Sequence, residues 1–205
     1  MVVLTWGFQM FLAGMPMLLV ICIVALAPLG LVVAYFTLGH VHKRINQFWE
    51  GGAWQVEKAR DSFANGGLFG VGPGDGTVKH HLPDAHSDFI FAVAGEEFGA
   101  LACLTLLTLY AFIVLRGFSR AMSDEGLFCL IASASLLLQF GVQAAIHMAS
   151  SVHLIPTKGM TLPLISYGGS SLVASGLTMG LILALTRRRA PYVLPGRRNL
   201  QEASS

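Results

Sequence analysis

Charge is scarce in this sequence. Asp, Glu, Lys and Arg make up 12% of its 205 residues, about half the ~25% of a soluble domain. A chain this poor in charge cannot cover its outside with water-facing groups, which excludes an ordinary soluble domain. Cysteine is scarce too: the 3 cysteines are Cys22, Cys103 and Cys129, all inside apolar runs. Their odd number and spacing fit neither a disulfide framework nor a metal template, and they read as small hydrophobes within helices. No cleavable signal peptide is visible, for the start has neither a basic region nor a small-residue cleavage site. Neither G-x-x-x-x-G-K-[ST] nor G-x-G-x-x-G occurs, which excludes the usual nucleotide loops. There is no internal repeat. The net charge of +2 says little about partners, and nucleic acid is not expected among them.

What is present is apolar. Hydrophobic residues make up 54% of the chain, and runs of about 20 residues, enough to cross a bilayer, recur along it. The sequence predicts an all-α polytopic membrane protein. The first full span is Met15 to Leu38, with Pro28 and Gly30 inside it; membrane helices tolerate such breaks where neighbours satisfy the freed carbonyl. The second is Phe89 to Leu115, interrupted by Glu96 and Glu97. The third is Leu127 to Ala149, and the last is Leu172 to Thr186, starting a turn or more earlier. Before Met15, "MVVLTWGFQMFLAG" reads as the tail end of a helix. Residues 40–87 form a long polar segment and 150–170 an irregular one with Pro156 and Pro163. Residues 190–205 read as a disordered tail. Arg187, Arg188 and Arg189 abut the last span, which puts the tail in the cytoplasm and the two polar segments outside. Lys43 and Arg44 weigh the other way, but long outer loops translocate largely regardless of charge.

Three stretches carry titratable groups where apolar residues dominate. "KHHLPDAHSD" holds Lys79, His80, His81, Asp84, His86 and Asp88. Imidazole and carboxylate are usual metal ligands, yet the spacing matches no ligand template, and a polar outer loop explains the histidines without metal. Asp88 stands where the loop becomes a helix. Partial desolvation there raises a carboxyl pKa toward neutrality, as a general base requires; an N-cap role for Asp88 or Ser87 fits as well. Glu96 and Glu97 lie about two turns, roughly 12–14 Å, into the helix, and intramembrane carboxylates mark functional or paired sites. In "HLIPTKGMTLPLISYGGSS", Lys158 could neutralise an anionic leaving group or simply snorkel at the interface. The glycines of "NGGLFGVGPGDG", Gly70, Gly72, Gly74 and Gly76, suit a folded loop with positive φ.

"LPDAHSDFIFAVAGEEFG" and "LIPTKGMTLPLISYGGSSL" together resemble the SEDS family (shape, elongation, division, sporulation), and more closely its division branch, of alphaproteobacterial type, than its elongation branch. The resemblance runs to about Arg189 and covers the C-terminal half of the family pattern. It implies the C-terminal half of a roughly ten-helix bundle, with four full transmembrane helices, a partial first one and a large outer loop; residues 1–189 are then this part of the domain. The earlier helices lie outside the sequence, so polymerisation is expected of the full-length protein rather than of these residues alone. His147 stands where the family usually has Asn, Val71 where an Arg is common, and "FWEGGAW" where an Asp-Pro pair is common.

The activity so implied is peptidoglycan glycosyl transfer: lipid II is polymerised into glycan strands during cell division. The family's essential Asp falls on Asp88. Substrate contacts are expected from Lys158, Lys79, His86, Ser166, Gly168 and Gly169, with Glu96 and Glu97 as structural intramembrane groups and no protein-held metal site. No cofactor is firmly implied, although a divalent cation, Mg²⁺ or Mn²⁺, on the pyrophosphate suits the chemistry. The implied partners are lipid II, undecaprenyl-pyrophosphate-linked glycan, a class B penicillin-binding transpeptidase and other division proteins. The implied location is the bacterial inner membrane at the septum. Two rival readings are a lipid II flippase, which broken helices would serve, and a noncatalytic scaffold for the transpeptidase.

Overall fold

The computed structural model describes residues 2–49, 54–77, 86–123, 126–156 and 159–187. Among these there are helices and connecting turns and no strand. The order is α1 (Val2–Leu12), α2 (Met17–Thr37), α3 (Gly39–Trp49), α4 (Trp54–Gly66), α5 (Ile90–Ala121), α6 (Leu127–Ser151) and α7 (Gly169–Leu185). Among the described residues, α5 with 32 residues and α6 with 25 are long and apolar enough to cross a membrane. The 17 residues of α7 reach ~26 Å at ~1.5 Å per residue. Phe112, Leu115, Val173 and Leu177 are largely exposed on α5 and α7. Apolar surface of that extent is covered by lipid or protein rather than by water.

The core lies between α5 and α6. Tyr110 stacks on Phe140 with ring centroids 5.5 Å apart, and Phe91, Ala144, Met148 and Leu162 close around them. Close approach is possible because small residues face large ones. A Cβ on Gly117 would sit 2.4 Å from Leu137 Cδ2, and one on Gly141 would sit 3.0 Å from Val114 Cγ2. Small residues at such contacts are the usual means of helix packing in lipid.

The structure departs from the sequence reading in two places. Residues 40–87 are not one irregular loop, because α3 and α4 occupy much of the segment. Helix α4 buries Ala59 and Ser62, with Ala59 packed against Phe89 and Ala92 at the start of α5. The second departure is a break inside the expected second span. Gly99 has φ 78° and ψ −178°, which divides α5 into two helical pieces. The later piece, 100–121, is ~33 Å long at ~1.5 Å per residue and spans a bilayer by itself. Glu96 and Glu97 therefore lie ahead of the unbroken span, not two turns inside it.

The break is closed by the glycine-rich loop. An unbroken helix would pair the amides of Ala100 and Leu101 with the carbonyls of Glu96 and Glu97. Instead Ala100 N donates to Gly67 O (2.9 Å) and Leu101 N to Leu68 O (3.4 Å). Val71 N donates to Glu96 O (3.0 Å) and Gly72 N to Glu97 O (3.1 Å). All four groups freed by the break are thus satisfied, as buried backbone requires. Of the loop glycines, Gly67, Gly70, Gly72 and Gly74 have positive φ. Gly76 does not; it is small for another reason, since a Cβ there would lie 3.0 Å from Glu96 Oε2.

The approach of loop and helix leaves no room at Gly66, where a Cβ would meet Gly95 O at 2.0 Å and Glu96 Cα at 2.8 Å. Both contacts are with backbone, which cannot rotate away. Gly66→Ala is expected to destabilise the protein by about 1–3 kcal/mol, the usual cost of overpacking. Thermal unfolding of the purified variant checks this, and a melting point equal to wild type would show that the clasp is looser than drawn.

Candidate active site

Asp88 precedes α5, and residues 159–168 join α6 to α7, so the site gathers at one end of three helices. Asp88 lies in a turn of residues 86–88. His86 is exposed there, while Ser87 and Asp88 are half-buried. The N-cap position of α5 is Phe89, which makes no side-chain cap bond, so Asp88 does not occupy that position.

Main-chain bonds hold the turn against the 159–168 segment. Tyr167 N donates to His86 O at 2.9 Å. Ser166 Oγ donates to Ser87 O at 2.7 Å and accepts from Leu162 N at 2.7 Å. The sequence reading lists Ser166 among substrate contacts. It is in fact buried, and its hydroxyl is engaged on both sides, so it acts on the turn that carries Asp88. Gly159 runs against the carboxylate itself: a Cβ there would lie 2.8 Å from Asp88 Oδ2.

The 159–168 segment is tied in turn to the helices. His147 Nδ1 donates to Met160 O at 2.6 Å, Gln143 Nε2 donates to Thr161 O at 3.0 Å, and Tyr110 OH donates to Pro163 O. Three polar side chains from α5 and α6 thus satisfy carbonyls of an irregular backbone stretch, the condition for such a stretch at membrane depth. Sequence reasoning missed Tyr110, Gln143, Gly159 and the place of His147. The available signal was a Tyr, a Gln and a His inside otherwise apolar helices. Gly168 keeps extended backbone at φ 177°, and its carbonyl accepts from Ser171 Oγ at 3.0 Å. Gly169 opens α7 and is exposed. Beneath the segment, α6 and α7 enclose a cavity of about 390 Å³ lined by Gln139, Gln143, Ser171, Ser175 and Thr178 among others.

Glu96 is fully buried and away from Asp88's turn. Its Oε1 accepts from Asn65 Nδ2 at 3.0 Å and from Thr77 N at 2.8 Å. Glu97 is half-buried. Lys79, His80, His81, Asp84 and Lys158 lie outside the described residues.

Fold and site define a helical membrane protein with a carboxylate held at one end of its helices. The family model described as Cell cycle protein, FTSW_RODA_SPOVE, matches residues 1–190, and the chain belongs to this family. Among its relatives is the "Probable peptidoglycan glycosyltransferase FtsW" of Caulobacter vibrioides (strain NA1000 / CB15N), 43% identical over 192 residues, which are 92% of this chain and 49% of the relative. The "Peptidoglycan glycosyltransferase RodA" of Mycobacterium leprae (strain TN) is 35% identical over 163 residues, 77% of this chain and 35% of the relative. A solved structure described as "Structural coordination of polymerization and crosslinking by a peptidoglycan synthase complex" is 26% identical with a TM-score of 0.67, covering 89% of this chain and 53% of that one. The chain thus spans 49% and 35% of the length of these two relatives and 53% of the solved chain.

Proposed function

We propose that the full-length protein is a peptidoglycan glycosyltransferase that polymerises lipid II during cell division, with Asp88 as general base. The observation that carries this is the placement of Asp88: half-buried, in a turn whose carbonyls are held by Tyr167 N and Ser166 Oγ, at the start of α5, whose later piece is long enough to span a bilayer. The names of the FtsW and RodA relatives support the same reading. A lipid-linked sugar suits such a site, because its sugar is in water while its anchor is in the bilayer.

In the reaction the 4-hydroxyl of an acceptor sugar attacks the anomeric carbon of the donor. The bond to the lipid pyrophosphate breaks, and Asp88 takes the hydroxyl proton. Lys158, with Lys79 behind it, neutralises the charge growing on the leaving phosphate. His86, Gly168 and Gly169 are the remaining candidates for sugar or phosphate contact. Among the described residues no three His, Cys, Asp or Glu side chains converge to hold a metal. A divalent cation, Mg²⁺ or Mn²⁺, would be held by the substrate's pyrophosphate and would offset the charge growing on the leaving group. The partner is a class B transpeptidase at the septum of the inner membrane, a reading supported by the synthase complex to which the chain is similar.

The partly open groove between α6 and α7, where Gln139, Gln143 and Ser175 sit beside Phe140 and Ala174, favours a second reading, a lipid II flippase. The two separate in one experiment, in which full-length protein in vesicles receives labelled lipid II together with its transpeptidase. Glycan strands support polymerisation; transfer of lipid II between leaflets without strands would overturn it.

Orientation belongs to the same proposal. With α2, α5, α6 and α7 as the four full spans and α1 as part of another, the arginines at 187–189 put the C-terminus in the cytoplasm. Reporter fusions at Gly74 and Arg197 are expected to report opposite sides of the membrane. Both on one side would overturn this topology.

A further inference from the structure

The mechanism leaves His147 unused. It lies near the C-terminal end of α6 and is fully buried. Its Nδ1 bonds the carbonyl of Met160 at 2.6 Å. A carbonyl only accepts, so Nδ1 carries the hydrogen, and in the neutral ring Nε2 is left as a bare acceptor. Among the described residues Nε2 is the single buried side-chain polar atom with no hydrogen-bond partner. A buried polar atom left unsatisfied is costly, so a native structure is expected to supply a partner when it functions.

The surroundings indicate which partner. Met160 follows Gly159, whose backbone lies against Asp88 Oδ2. The ring and the carboxylate therefore flank the same dipeptide, 159–160. Ser150 and Ser151, the polar neighbours on the ring's own helix, both donate to the His147 carbonyl, so their hydroxyl hydrogens are not available to Nε2.

We infer that His147 is a positioning residue for Asp88: Nδ1–H is anchored on the Met160 carbonyl, and Nε2 faces the Asp88 carboxylate across one bridging water that donates a hydrogen to each. When the carboxylate takes the proton of the acceptor hydroxyl, the new carboxyl O–H donates to that water, which keeps its own hydrogen bond to Nε2. The proton stays within the pair and is released to solvent before the next turnover, so the balance is kept. The catalytic meaning of the pair rests on Asp88 being the base, whereas the pair itself can be measured without turnover.

The full-length protein, labelled with ¹⁵N-histidine in lipid nanodiscs, provides the test. Loss of one signal set in His147→Gln assigns the ring. Asp88→Asn is expected to move the Nε2 resonance of His147 and leave Nδ1 in place. Unchanged Nε2 would overturn the pairing, whatever the activity. In the polymerisation assay, His147→Phe is expected to lower kcat by roughly 10-fold to 10²-fold, the cost of a misplaced catalytic group, with KM unchanged. His147→Gln carries an amide oxygen near the position of Nε2 and is expected to recover much of that loss. Melting points of both variants separate misfolding from misplacement. A folded His147→Phe with wild-type kcat would overturn the positioning role. If wild-type protein makes no strands, the function reading fails while the resonance shift still decides the pair.

Discussion

Asp88→Asn is expected to cut lipid II polymerisation by the full-length protein by ~10²-fold or more, the usual span for loss of a general base. The amide keeps the size and shape of the carboxylate but cannot take a proton. The fold is expected to survive, because the turn is held by its main chain: His86 O and Ser87 O accept from Tyr167 N and Ser166 Oγ. The N-cap residue of α5 is Phe89 rather than Asp88, so the substitution leaves the cap position unchanged. The variant should therefore insert, bind its transpeptidase and still bind lipid II, with the loss in kcat. Asp84→Asn, four residues earlier, should cost far less. Asp88→Asn with near wild-type strand synthesis would remove Asp88 from the reaction.

The long helices were legible because a run of apolar residues has one physical reading at this length; α5, α6 and α7 stand where the sequence predicts spans. Asp88 was legible because a carboxylate beside an apolar helix is unusual, although composition alone left the N-cap reading open. Helices α3 and α4 were not legible as such. They are short, rich in polar residues and flanked by glycine, and only contact with α5 makes the apolar side of α4 meaningful. The break at Gly99 was hidden for a different reason. A glycine inside an apolar run is ordinary in membrane helices, and the bonds that close the break join backbone groups about 30 residues apart in sequence, which leave no side-chain pattern. The hub at 159–168 was half legible: its Pro, Gly and Ser content signalled irregular backbone, but not that Tyr110, Gln143 and His147 hold its carbonyls.

Glu96→Leu is expected to be the more damaging change to stability, although it leaves the reacting groups untouched. The leucine is apolar and of similar size, so packing alone would favour it in a position that is fully buried. It offers no acceptor, however, and Asn65 Nδ2 and Thr77 N both donate to Glu96 Oε1. Each hydrogen bond lost is worth about 0.5–1.5 kcal/mol, and a donor left without a partner adds to that. Asn65 and Thr77 are themselves exposed, so water replaces part of what is lost, and a net cost of about 1–3 kcal/mol is expected. The position also governs the loop, because the carbonyl of Glu96 takes the Val71 amide while its side chain holds the far end of the same loop at Thr77. Without the carboxylate the loop loses its tie at Thr77 and keeps the backbone bonds at Val71 and Gly72. Glu96→Gln keeps an amide oxygen in the place of Oε1 and should lie within about 1 kcal/mol of wild type. Thermal unfolding, with hydrogen exchange at Val71, Gly72 and Ala100, distinguishes the two. Glu96→Leu should melt earlier and exchange faster at all three amides, with Glu96→Gln close to wild type. Equal protection in both variants would mean that the backbone bonds across the Gly99 break hold the loop without help from this carboxylate.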